Sequence, residues 1–428
     1  MEEKSSFYRG VRRVQSRVLR LAGLIPLENG KLGFVGTVCP SVYVNLAFSA
    51  VSSVYVWAFV EDCRNRRFNP DITSEMFSFV GFHLRFLYIF GRRKKLAGML
   101  DYCESLWTRV ESHEKVHVRG FVRKVSKLSC CYSGIILMTI TLYVLSSQLP
   151  QLTTASSNET VHRVLPYPFY FDVQSSPRYE ILLATQIACL LTVTQTSVCV
   201  DTSIAFLIMI ACGHFRLIQV RLEQISSHID ANEREPQHLP LRIEKTGPLS
   251  KILDNKDDDR VERETRVDGK WTGKVISRKI RQCVKYHGEI LQFCTEIARL
   301  SSEIFMIELI STTYNLSLIG ILLAGNMPLT EKFKFAPVLL ILTTQLFVCQ
   351  YPPDLLLRES LGVSDSVYFV PPFRNDRWRI DRMLLMMLRR SQRPYQLLAG
   401  GQIKLNIESF GNMIRGAVSF FTVLRSFN

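Results

Sequence analysis

The residues of this chain that could do chemistry are few, and they sit in apolar surroundings. Asp201, Glu308 and Arg415 are each flanked by long apolar stretches. An ionisable side chain in such a setting costs several kcal/mol unless it is paired or hydrated. Interhelical pairing or contact with an ion pathway would meet that cost. Pairing is the favoured reading for Asp201 and Glu308; for Arg415 both stay open. Near the C-terminus, Asn412, Arg415, Ser419, Thr422 and Ser426 recur at spacings of 3, 4, 3 and 4, which places them on one face of a helix. A helix surrounded only by lipid has no use for a polar stripe. One that borders water inside an assembly does. The chemistry these residues suit is hydration of an ion path, not catalysis. No phosphate-cradling glycine loop, nucleophile elbow or HExxH motif occurs, so no catalytic residue is assigned and no enzyme is expected. The eight His are scattered. His113 and His117 share helical spacing but lie among basic residues without a third ligand, so no metal and no cofactor is expected.

The elements that must position these residues are membrane helices. The sequence has 428 residues, 47% of them apolar. Leu32–Val60, Leu128–Asn158, Leu309–Thr330 and Phe335–Pro353 contain no Asp, Glu, Lys or Arg. About 20 apolar residues cross a bilayer core of about 30 Å. Seven helices are expected: 34–58, 74–92, 126–149, 179–212 with an amphipathic extension to about 226, 276–325, 334–358, and a two-part seventh. The second is the weakest, because it contains His83 and Arg85. The seventh combines a basic helix over 380–392, a break containing Pro394, Gly400 and Gly401, and the striped last helix. The fold class is therefore all-α, a polytopic membrane protein with seven transmembrane helices. Its expected parts are a cytoplasmic segment 1–33, a bundle 34–358 with a cytoplasmic insertion at about 226–275, and an anchor helix plus last helix over 359–428.

The net charge of +15 does not point to nucleic acid here, because Lys and Arg accumulate in cytoplasmic loops of membrane proteins. Placing the N-terminus inside puts 36 Lys and Arg in inner segments and 7 in outer ones. Seven spans then leave the C-terminus extracellular. Asn158 begins an Asn-Glu-Thr glycosylation sequon in an expected outer loop, and Asn315 begins one inside an expected span, where it would be inert. The first helix is expected to act as an uncleaved insertion signal. The 11 Cys fall mostly in or beside apolar segments, which suits buried thiols rather than a disulfide framework. The 232–273 stretch is polar and mixed in charge and reads as solvated and largely disordered. The loop 150–179 is rich in Pro and aromatics and could cap a cavity. Beneath it, the outer halves of helices two, three, four and six offer Phe77, Val80, Met138, Leu142, Tyr143, Thr185, Gln186, Cys189, Thr343 and Thr344. These make a mostly apolar lining with a few polar groups, suited to a small molecule and equally to a helix interface.

Several motifs together resemble the insect odorant receptor family. Ser419-Phe420-Phe421-Thr422-Val423-Leu424-Arg425-Ser426 is similar to that family's terminal Ser-Tyr-Phe-Thr-Leu-Leu-Arg-Ser, with Phe420 in place of Tyr. Ile407-Glu408-Ser409-Phe410, Ser391-Gln392-Arg393-Pro394, Tyr167-Pro168-Phe169, Ser176-Pro177-Arg178-Tyr179-Glu180, Asp201-Thr202, His214 and His287 also resemble family positions. The resemblance implies a subunit of a ligand-gated non-selective cation channel. That subunit would bind a small volatile organic ligand in the outer half of its bundle and join the shared coreceptor in a heterotetramer. It implies a plasma-membrane location, in the dendrite of an olfactory neuron. It implies a pore lined by the last helix, through Arg415, Ser419, Thr422 and Ser426, with a constriction at Val423 and Phe427, and an intersubunit anchor at the cytoplasmic ends of helices four to seven. The alternatives are a gustatory receptor of the same architecture and a G-protein-coupled receptor. The first would end in Thr-Tyr with a distal Gln. The second would need an external N-terminus, an outer-loop disulfide and an Asp-Arg-Tyr-like motif.

Overall fold

A computed structural model describes residues 19–20, 24, 31–67, 69–154, 165–166, 175–233, 266–267, 270–271, 273–324, 329–371 and 377–427. Nine helices are present among the described residues: α1 (Lys31–Arg64), α2 (Pro70–Gly91), α3 (Arg93–Arg109), α4 (Lys115–Thr154), α5 (Arg178–Glu233), α6 (Gly273–Ala324), α7 (Leu329–Tyr368), α8 (Arg377–Ser391) and α9 (Ile407–Phe427). Two short antiparallel hairpins complete it: β1 (Arg266–Val267) with β2 (Lys270–Trp271), and β3 (Leu398–Ala399) with β4 (Ile403–Lys404). Seven of the helices have 21 residues or more, enough for about 30 Å at about 1.5 Å per residue. The remaining two, α3 and α8, have 17 and 15. Among the described residues, α1, α4 and α5 are both long and apolar enough to cross a membrane.

The expected elements are present, with three differences. The inner segment expected between helices two and three is mostly ordered as α3 and the start of α4. Its apolar positions Leu96, Met99, Leu100, Cys103, Leu106 and Trp107 are all buried, a helical stripe hidden in a basic sequence. The expected extension of the fourth span runs on to Glu233. The insertion is also entered and left differently: β1 and β2 form a hairpin, and Trp271 stacks on His228 with ring centroids 3.9 Å apart. Residues 234–265, the Asn158 sequon, Tyr167-Pro168-Phe169 and residues 1–18 lie outside the described residues.

The chain divides into two compact units, with three of the four boundaries falling inside α5, α6 and α7 and the fourth after α8. The first comprises residues 1–210, 295–356 and 396–428. Its centre is the first part of α5, where every residue from 196 to 210 is buried, as a helix apolar all round requires. Around it α1 and α2 pack through aromatic stacking, Tyr55 on Phe79 at 5.1 Å and Phe48 on Phe86 at 5.0 Å. A polar ladder joins α2 to α6: Ser74 donates to Asn315 Oδ1 (2.8 Å) and Asn315 Nδ2 donates to Ser78 (2.9 Å). Asn315 is thus enclosed at a helix interface, away from any glycosylation machinery. Meanwhile Leu46, Leu84, Leu137, Met138 and Leu145 stay exposed, a surface suited to lipid.

The break before α9 is a built feature. Gly400 has φ +56° and a Cβ there would meet the Met306 side chain at 3.0 Å, so both backbone and space call for glycine. Its N–H bonds Ser302 O at 3.0 Å, while Ser302 Oγ donates to Leu398 O at 3.1 Å. The hairpin β3–β4 is thereby pinned to α6. Asn406 then caps α9 by accepting from Ser409 N–H at 2.8 Å, and Asp354 accepts from Ile407 N–H at 3.2 Å. These satisfy two of the donors that every helix start leaves open.

The second unit comprises residues 211–294 and 357–395. Phe215, Leu222, Ile229, Ile276, Ile290, Val363 and Ile380 are buried in it. Gly362 leaves room for Gln219, which donates to Glu359 O at 2.8 Å; a Cβ at 362 would lie 2.9 Å from the Gln219 amide. His287 lies in the charged half of α6, outside the span, edge-on to Phe215. Burial, with Arg390 adding to it, pushes its imidazole down to about 4. His287 is therefore neutral when folded and takes up a proton on unfolding below about pH 6.5. Its contribution to stability is whole above that pH and falls by about 1.4 kcal/mol per pH unit towards pH 4. Thermal unfolding of the purified protein should thus begin earlier at pH 5.5 than at pH 7.5. His287→Phe should shrink that difference, and an unchanged pH response in the variant would remove His287 as its source.

Candidate functional site

Two features of the first unit stand together. One is a buried ionic cluster. Arg85 on α2 reaches Asp201 on α5 at 2.8 Å and pairs with Glu308 on α6. Its second amino group donates to Ser197 at 2.7 Å, Tyr132 on α4 donates to the other Asp201 oxygen at 3.1 Å, and Thr312 donates to Glu308 at 3.2 Å. Arg85, Asp201 and Glu308 are at most 5% exposed. The guanidinium lies 5.1 Å from the Phe82 ring centroid. Four helices are tied at one point, and the two acids expected to need partners have one in common. Arg85 was legible only as a blemish in the second span; its role depends on contacts far apart in sequence.

The other feature is a cavity of about 140 Å³, close in size to an apolar hole of about 150 Å³ that accepts one benzene. Its wall is mostly apolar: Phe79 and Phe82 from α2, Ile136 and Ile140 from α4, Leu190 from α5, Ile341 and Leu342 from α7. Polar groups are interspersed: Tyr55, Glu75, Thr139, Tyr143, Thr194 and Gln345. Tyr132 and Ser197 belong to both features, since each lines the cavity and bonds to the cluster.

Of the ten candidate ligand-binding residues, Tyr143 lies on the cavity. Its hydroxyl is 2.9 Å from Pro166 O and 3.2 Å from Glu75 Oε1. The other nine are placed off it. Met138 and Leu142 are on the exposed side of α4, 50% and 43% exposed; the cavity takes 136, 139, 140 and 143 instead. Thr185 is exposed, and Gln186 is buried but does not reach the lining. Phe77 packs on Tyr314 at 4.2 Å, while Thr343 and Thr344 bond back to Leu339 and Leu340. Val80 and Cys189 are half-buried away from it. The displacement is about one helical step: the expected helices supply the wall, but through a neighbouring face.

On α9 the polar stripe keeps to one side. Asn412, Arg415, Ser419 and Thr422 are all exposed, as is Gly416. Arg415 bonds along its own helix to Asn412 Oδ1 and Gly411 O, and Thr422 donates to Ser419 O at 2.8 Å. The opposite side meets α7, through Phe410 against Phe347 and Met413 against Gln350. The backbone extends helically to Phe427, but the side chains of Val423, Ser426 and Phe427 lie outside the described residues. No group of three or more His, Cys, Asp or Glu able to hold a metal occurs among the described residues.

The profile of the 7tm Odorant receptor family matches residues 73–418, most of the chain. Odorant receptor Or2 of Anopheles gambiae is 25% identical over 149 residues, covering 34% of this chain and 39% of that one. Odorant receptor 10 of Aedes albopictus is 21% identical over 273 residues, 61% and 60% of the two chains. The match thus spans less than two thirds of the length of these curated relatives. Among solved structures, the insect olfactory receptor OR5 of Machilis hrabei in complex with eugenol superposes over 100% of both chains, with a TM-score of 0.71 and 12% identity. That likeness shows a shared all-helical, seven-transmembrane fold. Residues 73–418 take in the ionic cluster, the first half of α9 with Asn412 and Arg415, and nearly all of the cavity wall, and on that breadth the chain belongs to the seven-transmembrane odorant receptor family of insects.

Proposed function

We propose that this receptor is a subunit of an odorant-gated, non-selective cation channel in the plasma membrane, and that a small volatile molecule bound in the 140 Å³ cavity favours the open state. The observation that carries the reading is the cavity itself, apolar with a few polar groups and of single-ligand size. Its floor residues, Tyr132 and Ser197, bond to a cluster that ties four helices. A ligand shifts a conformational equilibrium only by binding the two states differently, and residues shared between cavity and cluster give it that leverage. Eugenol, the ligand of the Machilis structure, is an aromatic of this general kind.

The N-terminus is cytoplasmic and the C-terminus extracellular, which puts the Tyr143 end of the cavity towards the outer face and Asn158 in a glycosylated loop. The exposed polar side of α9, with Arg415, Ser419 and Thr422, borders water in a heterotetramer with the shared coreceptor; Ser426 continues its spacing, and Val423 and Phe427 narrow the outer mouth. Exposed Tyr368, Phe369, Leu385 and Met386 of the second unit supply the apolar surface an intersubunit anchor needs. The setting is the dendrite of an olfactory neuron.

Recording from cells expressing the receptor with and without coreceptor, against an odorant panel, tests this. Odorant-evoked cation current is expected with the coreceptor; silence despite demonstrated surface expression would reject the reading. Val423→Ala should raise the basal current by widening the constriction. Unchanged basal and evoked currents in the expressed variant would remove Val423 from the gate.

A further inference from the structure

The cavity holds one group that an apolar volatile does not need. Glu75 lines it, and among the described residues no Lys, Arg or His does. An ionised carboxyl group only accepts, at about four lone-pair positions. Its neighbours are phenols: Tyr143 at 3.2 Å, with Tyr55 also beside it. The Tyr143 proton cannot serve Glu75 and Pro166 O together, and the Pro166 contact is the shorter, 2.9 Å. Among the described residues, two phenols therefore leave acceptor capacity at Glu75 unmet, inside a wall otherwise dominated by Phe, Ile and Leu. Leaving a polar group unsatisfied in such surroundings is costly. The arrangement rewards an entering molecule that brings a donor, and it penalises one that brings only acceptors or a negative charge.

We propose that the ligand of this cavity has a compact hydrocarbon or aromatic body and one hydrogen-bond-donating head group, an alcohol O–H or an amine N–H, received by the Glu75 carboxyl. The proposal rests on the reading of the cavity as the odorant site. Phe79 and Phe82 enclose the body, and Glu75 fixes which end enters. Glu75 is then the specificity-determining residue: it discriminates an alcohol from its own methyl ether, molecules of almost equal shape.

The test uses the receptor with coreceptor and matched probes: 2-phenylethanol, 2-phenylethylamine, the methyl ether of the alcohol, and ethylbenzene, within a wider odorant panel. At least one of the two donors should reach half-maximal current at a concentration about tenfold or more below the ether. Glu75→Leu should bring that ratio within about threefold, because each variant is compared with itself across probes. Glu75→Gln keeps an acceptor oxygen without the charge, so it should spare the alcohol's advantage and reduce the amine's. The parent receptor alone can refute the proposal, whatever the variants do: an ether or hydrocarbon as potent as the donors would overturn it, as would odorant currents that no donor evokes. A ratio that survives Glu75→Leu would overturn it too. If no odorant of any kind drives current from receptors shown at the surface, the channel reading fails instead.

Discussion

Arg85→Met is expected to strip most folded receptor from the cell surface. Arg85 faces Asp201 and Glu308 in a site that is almost wholly buried. Removing one partner of a buried ion pair costs about 3–5 kcal/mol, because the other charge is left uncompensated. Here two carboxyl groups lose their common partner, and Ser197 loses its donor. Against a typical net stability of about 5–15 kcal/mol, that is a large share. Surface biotinylation and size-exclusion of a fluorescently tagged receptor would show it. The triple change Arg85→Met, Asp201→Leu, Glu308→Met should recover part of the loss, since replacing a whole buried ion cluster by apolar groups is often neutral or stabilising. A single Arg85→Met variant as abundant at the surface as the parent would contradict the cluster's structural role.

Ile136→Trp should lower odorant sensitivity by about 100-fold or more, equivalent to about 2.7 kcal/mol of binding. Ile136 is buried on α4 and faces the cavity, so the indole would fill the space a ligand needs. Overpacking costs about 1–3 kcal/mol, so surface expression must be measured beside the current. The outward-facing Leu142→Trp is the matched control, because Leu142 is 43% exposed on the same helix and the larger side chain meets no wall. The control should keep its response. Concentration–response curves for Ile136→Trp within about threefold of the parent would place the ligand elsewhere.

The spans were legible because charge is excluded from lipid: four runs free of Asp, Glu, Lys and Arg marked most of the bundle without any packing information. The last helix was legible through the spacing of its polar residues, which the structure keeps on one exposed side from Asn412 to Thr422. The cavity was legible only by helix. In a soluble protein apolar faces point inward, but a lipid-facing surface is as apolar as an interior. On α4, Met138 and Leu142 face outward while Ile136 and Ile140 face inward, and hydropathy cannot tell these pairs apart. Arg85 shows the converse. Its charge argued against a span, and only the meeting of α2, α5 and α6 turns it into the cation that Asp201 and Glu308 require. Glu75 escaped notice for a related reason: near a helix start it reads as a solvated acid, and its place on the cavity wall depends on α1, α4 and α7.

The most direct measurement is the structure of this receptor in the proposed assembly with a coreceptor and an activating odorant. Ligand density is expected between α2, α4, α5 and α7, enclosed by Phe79, Ile136 and Leu190, with the polar side of α9 turned to a water-filled central pore. Ligand density at a lipid-facing or intersubunit surface, with this cavity closed by side chains, would contradict it.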